Sequence, residues 1–242
     1  MNLIIDIGNT RVKVAVFEHD KVIELLVFNK NRIISEVKKI LKKFQIDEAI
    51  MSSVSSISLK KTEKLQELVS LTLISSAIKT PFKNLYRTPE TLGVDRIALV
   101  FGAVIKYPVQ NILIIDAGTC ITFDFVNKEN EYLGGAISPG IQMRYKSLHQ
   151  LTAKLPLLET NIPDNFIGNS TKESINSGVV NGVIQEIEGV IQQYKKKYLH
   201  LTVVLTGGDT NFLSKQLKSS IFANQNFLLE GLNEILIFNK NK

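Results

Sequence analysis

The residues best suited to chemistry are acidic side chains that follow apolar runs and precede a glycine. The stretch "LIIDIGNT" (residues 3–10) has this form, and "ILIIDAGT" (112–119) repeats it so that Asp6 corresponds to Asp116, 110 positions later. A third apolar run ends in "TGGD" (206–209). Glycine-containing turns let the backbone approach a ligand closely and direct N–H groups at anionic oxygens. The three loops therefore indicate phosphate binding.

A carboxylate beside a bound phosphate is repulsive unless a cation lies between the two negative charges. Hard cations take oxygen ligands and bridge phosphates, so Asp6 and Asp116 predict a bound Mg²⁺ or another cation. One such loop alone is more typical of an ordinary tight turn, but the duplication favours a functional interpretation. The sequence contains neither G-x-x-x-x-G-K-[ST] nor G-x-G-x-x-G, which argues against a P-loop or a dinucleotide-binding fold.

Hydrophobic periodicity predicts α/β structure in both halves of the chain. Strands are expected at 3–7, 12–17, 48–54, 71–76, 112–116, 121–126, 131–137 and 201–209. Helices are expected over 34–44, 58–69, 94–107, 171–198 and 231–238, and the proline-containing segment 80–92 is expected to be a loop. Each half opens with two strands joined by an acidic loop, which predicts two domains, 1–110 and 111–242, joined by a hinge.

The composition is that of a protein with a large buried core, since 44% of the residues are hydrophobic. No apolar run reaches the roughly 18 residues of a membrane span, and Asp6 interrupts the N-terminal run, which argues against a signal peptide. A single cysteine and the absence of metal-ligand spacing among His19, His149 and His200 favour a cytoplasmic location. The net charge of +6 suits an anionic ligand, although the basic cluster at 195–197 is typical of a solvated helix end.

Two tandem α/β halves with acidic phosphate loops resemble the superfamily of acetate and sugar kinases and actin-like ATPases. The resemblance implies two ribonuclease H-like domains, each with a mixed central sheet flanked by helices, and a nucleotide bound between them. Within that superfamily, the chain resembles type III pantothenate kinases over almost its full length. The matching motifs are "DIGNT" (6–10), "YRTPETLGVDR" (86–96), "DAGTCITFD" (116–124), "GGAISPG" (134–140), "LTAKLP" (151–156), "GNSTKESINSG" (168–178) and "TGGD" (206–209).

This resemblance implies that a homodimer phosphorylates pantothenate with ATP, the first step of coenzyme A biosynthesis, using Mg²⁺ and a monovalent cation, K⁺ or NH₄⁺. It implies that ATP binds to Asp6, Ile7, Gly8, Asn9, Thr10, Arg11, Val12, Lys13 and Thr119. It implies that pantothenate binds to Tyr86, Gly93, Val94, Asp95, Arg96 and, across a dimer interface, Thr171. Asp95 would be the proton acceptor, Asp6 would hold Mg²⁺ directly or through water, and Asp116 would bind the monovalent cation.

The position of Asp95 supports this role independently. It lies in the first turn of the helix predicted from Val94, where the helix macrodipole favours the ionised carboxylate. Phosphoryl transfer needs only a weak base that orients the hydroxyl and accepts its proton late, and Arg96 could pair with the substrate carboxylate or the migrating phosphate. The alternative for this segment is a helix cap with a surface arginine. Cys120, where the family usually has another small residue, and His149 receive no catalytic role.

Two other functions stay open at the level of sequence. One is a transcriptional accessory or regulatory protein of the same family without kinase activity, against which the intact Asp6, Asp95 and Asp116 argue. The other is a kinase of this superfamily that acts on a sugar or a small acid, for which the segment 86–96 is the discriminating feature. We expect neither a membrane nor a nucleic acid as a partner.

Overall fold

The computed structural model describes residues 1–53, 57–75 and 77–240, and the chain divides into two compact units. The first unit contains residues 1–108, 130–132 and the C-terminal segment from 226 onward. The second unit contains residues 109–129 and 133–225. The chain thus leaves the first unit close to the hinge expected at 110, but the expected division does not anticipate the return of the C-terminal helix.

The first unit is built on a mixed sheet with the strand order β3-β2-β1-β4-β5. Its strands are β1 (Asn2–Ile7), β2 (Val12–Glu18), β3 (Lys21–Phe28), β4 (Glu48–Ser53) and β5 (Leu71–Leu73). Strand β2 runs antiparallel to β1 and β3, whereas β4 is parallel to β1 and to β5. The hairpin β1–β2 confirms the predicted strands at 3–7 and 12–17. Residues 54 and 76, at the ends of two other predicted strands, lie outside the described residues.

Helices pack on this sheet through its alternating side chains. The helices are α1 (Ile33–Lys43), α2 (Leu59–Gln66), α3 (Val94–Lys106) and α8 (Phe227–Lys240). Leu3, Ile5 and Ile7 of β1 form one core with α1 and α2. Helix α8 packs on α3, β1 and β4, and its buried Phe227 and Leu229 explain why it begins before the predicted residue 231.

Two glycines allow α3 and α8 to approach each other closely. A Cβ atom on Gly102 would lie 3.0 Å from the Cα of Gly231, and one on Gly231 would lie 2.1 Å from the carbonyl oxygen of Ala98. Any larger residue at either position would force the helices apart. This contact holds the end of the chain in the first unit.

The second unit repeats the opening of the first around another mixed sheet. Its strands are β7 (Asn111–Ala117), β8 (Cys120–Val126), β9 (Glu131–Pro139), β10 (Leu201–Thr206) and β11 (Phe222–Ala223), in the order β11-β10-β7-β8-β9. Strand β8 is antiparallel to β7, and β10 is parallel to it. The first residues of β9, Glu131 and Tyr132, belong to the first unit and pair there with β6 (Lys83–Asn84).

One face of the second sheet packs on helices. These are α4 (Ile141–Gln150), α5 (Thr171–Asn176), α6 (Gly182–Lys197) and α7 (Thr210–Leu213). The long helix predicted over 171–198 is observed as α5 and α6 joined by a π-helical segment, Ser177–Asn181. Within the part of the chain that the structure describes, no helix has the length and apolar character needed to cross a bilayer.

Candidate active site

Asp6 lies near the end of β1 and is held by the strands on both sides. Strand register aligns it with Lys13 on β2 and with Ser52 on β4. The side chain is 7% exposed, and the Oγ atom of the fully buried Ser52 donates a 2.7 Å hydrogen bond to its Oδ1 atom. This contact fixes the orientation of the carboxylate. The predicted metal ligand is therefore a preorganised buried group.

The electrostatic surroundings of Asp6 favour a bound cation. Burial raises the pKa of Asp6, the Ser52 hydrogen bond and the charge of Lys13 lower it, and the negative charge of Asp95 raises it. Asp6 and Asp95 thus repel each other within the first unit, although they are 89 residues apart in the chain. A divalent cation close to both carboxylates would relieve this repulsion and the cost of burial. The residues present fit Mg²⁺.

The turn between β1 and β2 presents polar groups beside Asp6. The N–H group of Gly8 donates a 3.1 Å hydrogen bond to the carbonyl oxygen of Arg11, which closes the turn. Asn9, Thr10 and Arg11 are exposed, whereas Ile7 and Val12 are buried in the sheet. The expected phosphate-binding segment is therefore an accessible loop on a rigid hairpin.

The segment that begins α3 places Asp95 and Arg96 at one helix terminus. The Oδ1 atom of Asp95 accepts a 2.8 Å hydrogen bond from the backbone N–H of Arg96. A Cβ atom on Gly93 would lie 2.4 Å from that oxygen, so the carboxylate turns back over a position that needs glycine. Arg96 is only 6% exposed, which excludes the alternative of a surface arginine.

A stack of side chains orients Arg96. Its guanidinium group lies over the ring of Tyr86, 5.5 Å from the ring centroid. Tyr86 in turn stacks on Tyr132 with a centroid distance of 6.2 Å, and Phe82 meets Tyr132 edge to face. Cation–π contact and stacking restrict the rotation of both polar side chains. The first unit thus places the guanidinium group of Arg96 on Tyr86 and its backbone N–H on Asp95.

In the second unit, Asp116 occupies the place in β7 that Asp6 has in β1. Its Oδ1 atom lies close to Gly207. A Cβ atom on Gly207 would be 2.4 Å from this oxygen and 2.3 Å from the carbonyl oxygen of Ala117. Gly207 has a φ of +99°, a conformation suited to glycine. The N–H of Asp209 donates a 2.9 Å hydrogen bond to the same Ala117 carbonyl. Two of the three predicted acidic loops therefore pack against each other.

The remaining predicted residues, Thr119 and Thr171, are exposed and belong to the second unit. Thr119 accepts a 3.1 Å hydrogen bond at its carbonyl oxygen from the N–H of Gly140, and its side chain faces solvent. Thr171 begins α5 and lines a cavity of about 1010 Å³ together with Arg144 and Leu155. Thr171 therefore lies at a surface large enough to receive a ligand or another chain.

Four polar residues in or beside these groups are absent from the sequence-based predictions. They are Ser52, Thr122, Tyr132 and Thr206. Ser52, Tyr132 and Thr206 reach their positions through pairing between strands that are distant in the chain, whereas Thr122 is placed by the hairpin β7–β8. The only sequence signal for them is their location near the ends of predicted strands, which does not specify their partners.

Comparison with known proteins identifies relatives over the whole chain. The family model for type III pantothenate kinase matches residues 2–193. A type III pantothenate kinase from Christiangramia forsetii is 51% identical over 241 residues, which cover 99% of each chain. Among solved structures, a Campylobacter jejuni protein assigned to the Baf family of transcriptional activators has a TM-score of 0.66 at 22% identity, covering 99% of this chain and 100% of its own. A glucokinase from an Antarctic psychrotroph has a TM-score of 0.53 at 11% identity, covering 98% of both chains, so the fold is that of the sugar kinases.

Proposed function

We infer that this chain, which belongs to the type III pantothenate kinase family, transfers the γ-phosphoryl group of ATP to the hydroxyl group of pantothenate. The product is 4′-phosphopantothenate, and the reaction is the first step of coenzyme A biosynthesis. One observation supports the assignment of roles to residues: Asp6 and Asp95 interact electrostatically within one unit. A carboxylate that holds a metal and a carboxylate that accepts a proton must both lie close to the transferred phosphoryl group.

Asp6 is proposed to hold Mg²⁺, directly or through water, beside the ATP phosphates. When bound, Mg²⁺ would neutralise the charge that develops on the phosphoryl oxygens. The exposed turn from Gly8 to Arg11 and the ammonium group of Lys13 are proposed to contact the phosphates. Ser52 keeps the carboxylate of Asp6 in a single orientation through its 2.7 Å hydrogen bond. The protein thus contributes mainly positioning and charge neutralisation.

Asp95 is proposed to orient the pantothenate hydroxyl for in-line attack and to accept its proton. The helix macrodipole and the N–H group of Arg96 both favour the ionised carboxylate that a proton acceptor requires. Arg96, fixed on the ring of Tyr86, is proposed to bind the substrate carboxylate or the migrating phosphate. Gly93 and Val94 complete this wall of the pocket.

Residues of the second unit are proposed to bind the monovalent cation, the nucleotide and pantothenate. Asp116 is proposed to bind K⁺ or NH₄⁺, and Thr119 to contact the nucleotide. Thr171, exposed beside its cavity, is proposed to contact pantothenate across the interface of a homodimer. We expect the two compact units of the chain, with helix α8 in the first, to correspond to the two domains of an actin-like ATPase. A cytoplasmic location fits an enzyme of coenzyme A biosynthesis.

The activity is tested by measuring ADP formation with ATP, Mg²⁺, K⁺ and a panel of acceptors that includes pantothenate, glucose and acetate. Stimulation by pantothenate alone is the expected result. ADP formation with glucose or acetate but not pantothenate would favour the other kinase function, and no ADP with any acceptor would favour a regulatory protein. The likeness to the Campylobacter jejuni structure does not favour the regulatory function, since 22% identity shows the fold alone.

The role of Asp95 is tested by the variant Asp95→Asn. We expect turnover to fall by about 10²- to 10⁴-fold, because proton acceptance is lost, while the KM for ATP changes little. Glu90→Gln is a matched control, since Glu90 is exposed in the same segment. Equal effects on turnover and on ATP binding would argue that Asp95 holds the nucleotide and is not the base.

A further inference from the structure

In the first unit, three polar side chains form a row across the sheet. Asp6 is paired with Lys13 on one side and with Ser52 on the other, and paired residues of neighbouring strands point to the same face. The Ser52 hydroxyl donates to Asp6, and the positive charge of Lys13 lowers the pKa of Asp6. This row therefore contains a carboxylate, a hydroxyl group and an ammonium group.

The second unit contains the corresponding row with one change in chemistry. Asp116 is paired with Thr122 on β8 and with Thr206 on β10. Thr206 corresponds to the serine of the first row, so both rows have a hydroxyl group at that position. Thr122 corresponds to Lys13, so the second row has a neutral hydroxyl group where the first has an ammonium group.

The two threonine hydroxyl groups have an unusual environment. Thr206 is 1% exposed, and the Oγ1 atoms of both Thr122 and Thr206 are buried. Neither Oγ1 atom has a hydrogen-bond partner within residues 1–53, 57–75 and 77–240. Buried polar atoms in native proteins almost always have a partner, and an ion is one of the ligands that satisfies them.

The set of donors around Asp116 indicates the charge of that ion. No cluster of three or more His, Cys, Asp or Glu side chains suited to a metal ion is found in the part of the chain that the structure describes. The row instead offers one carboxylate and two neutral hydroxyl oxygens. Oxygen donors suit hard cations, and a single negative charge matches a monovalent cation better than a divalent one.

We propose that Thr122 and Thr206 supply oxygen ligands, together with Asp116, to a K⁺ or NH₄⁺ ion that takes the electrostatic role of the Lys13 ammonium group. The inference rests on the proposed cation-binding role of Asp116 and adds the two residues that determine its selectivity. Because β7, β8 and β10 fix the spacing of the three side chains, the row cannot contract around a smaller ion. Na⁺ is therefore expected to bind more weakly than K⁺.

Thermal unfolding measured against KCl or NaCl at constant ionic strength tests this proposal without relying on activity. A ligand that binds the folded state raises the Tm, so K⁺ should stabilise the wild-type protein more than Na⁺ does, with or without Mg²⁺ and ADP. Thr206→Val and Thr122→Val remove an oxygen and keep the shape of the side chain. We expect each to weaken the apparent K⁺ affinity by about 10- to 100-fold.

Thr202→Val provides the matched control, because Thr202 lies on the same strand and its hydroxyl group donates to the side chain of Gln110. This variant should lose stability in every salt and keep the response to K⁺. Without K⁺, the Thr206→Val and Thr122→Val variants should be at least as stable as the wild type, since each loses a buried hydroxyl without a protein partner.

The outcomes separate this inference from the functions on which it rests. If Asp116→Asn abolishes the K⁺ response while both threonine variants keep it, the threonines are not ligands and the inference fails. If the threonine variants behave as Thr202→Val does, their hydroxyl groups are structural and the inference also fails. If the wild type shows no K⁺ response but still forms ADP with pantothenate, the cation site is refuted and the kinase function stands.

Discussion

The variant Asp6→Asn should be more stable than the wild type and much less active. Asp6 is 7% exposed, and its pKa is raised mainly by burial and further by Asp95. An asparagine retains a side-chain oxygen that can accept the hydrogen bond from Ser52. The substitution therefore removes the charge and keeps the contact that orients the side chain.

The sign of the stability change follows from the direction of the pKa shift. A raised pKa means that folded Asp6 binds its proton more tightly than unfolded Asp6, so the free energy of unfolding falls as the pH rises through the folded pKa. The asparagine side chain does not ionise, so the variant keeps the free energy of unfolding that the wild type loses as the pH rises. Removing a functional group that strains the fold stabilises by about 0.5–2 kcal/mol. For a chain of 242 residues, this corresponds to a Tm increase of about 1–8 °C near neutral pH.

The assay is thermal unfolding of both proteins in metal-free buffer, near neutral pH and again below the ordinary pKa of 3.8, together with ADP formation. The Tm difference should disappear at the lower pH, where the wild-type carboxyl group is protonated in both states. Turnover should fall by about 10²- to 10³-fold. Asp6→Ala is the control: it leaves the Ser52 hydroxyl buried without its acceptor and should destabilise by about 1–3 kcal/mol. A Tm for Asp6→Asn below that of the wild type would refute the argument.

Three further substitutions test the surroundings of the site and the packing of the first unit. Tyr132→Leu removes the stack on Tyr86 and should raise the KM for pantothenate about 2- to 12-fold without changing the KM for ATP. Tyr132→Phe keeps the aromatic ring and should show the steady-state kinetics of the wild type. Gly231→Ala places a Cβ atom 2.1 Å from the Ala98 carbonyl oxygen and should destabilise by about 1–3 kcal/mol in thermal unfolding; an unchanged Tm would contradict the packing of α8. Burial and neighbouring carboxylates raise the pKa of Glu234, so stability is lost as the pH rises through it. Because Glu234 is partly solvated, Glu234→Gln should raise the Tm by only about 1–2 °C at neutral pH and not at all below pH 4.5. An equal gain at both pH values would show that ionisation of Glu234 is not the cause.

The predicted parts of the fold are those encoded by short-range patterns. The hairpins β1–β2 and β7–β8 follow from alternation interrupted by a polar, glycine-containing turn, and the structure confirms both. The helix α3 follows from an apolar period that ends before Pro108 and is also confirmed. In each case, the residues that specify the element are neighbours in the chain, so one sequence contains the whole signal.

Two features of the first unit were missed for different reasons. Strand β3, "KVIELLVF", lies at the edge of the sheet with Ile23, Leu25 and Val27 exposed, so it lacks the polar face by which a strand is usually detected. The return of α8 to the first unit depends on the contact between Gly102 and Gly231, which are far apart in the sequence. This contact cannot be inferred from residues within one turn or one strand.

The same distinction separates the predicted and unpredicted residues of the candidate site. Asp6 and Asp116 attract attention because a carboxylate at the end of an apolar strand is unusual, whereas serine and threonine in a strand are not. Such a hydroxyl group can donate a hydrogen bond to a carboxylate or bind an ion. Which of the two it does depends on the residue that the neighbouring strand places opposite it. The difference between Lys13 and Thr122 becomes visible only once both hairpins are in register. The duplicated loop therefore predicts that both halves bind charged groups, and the strand pairing supports the proposal that a monovalent cation in the second half takes the place of the lysine in the first.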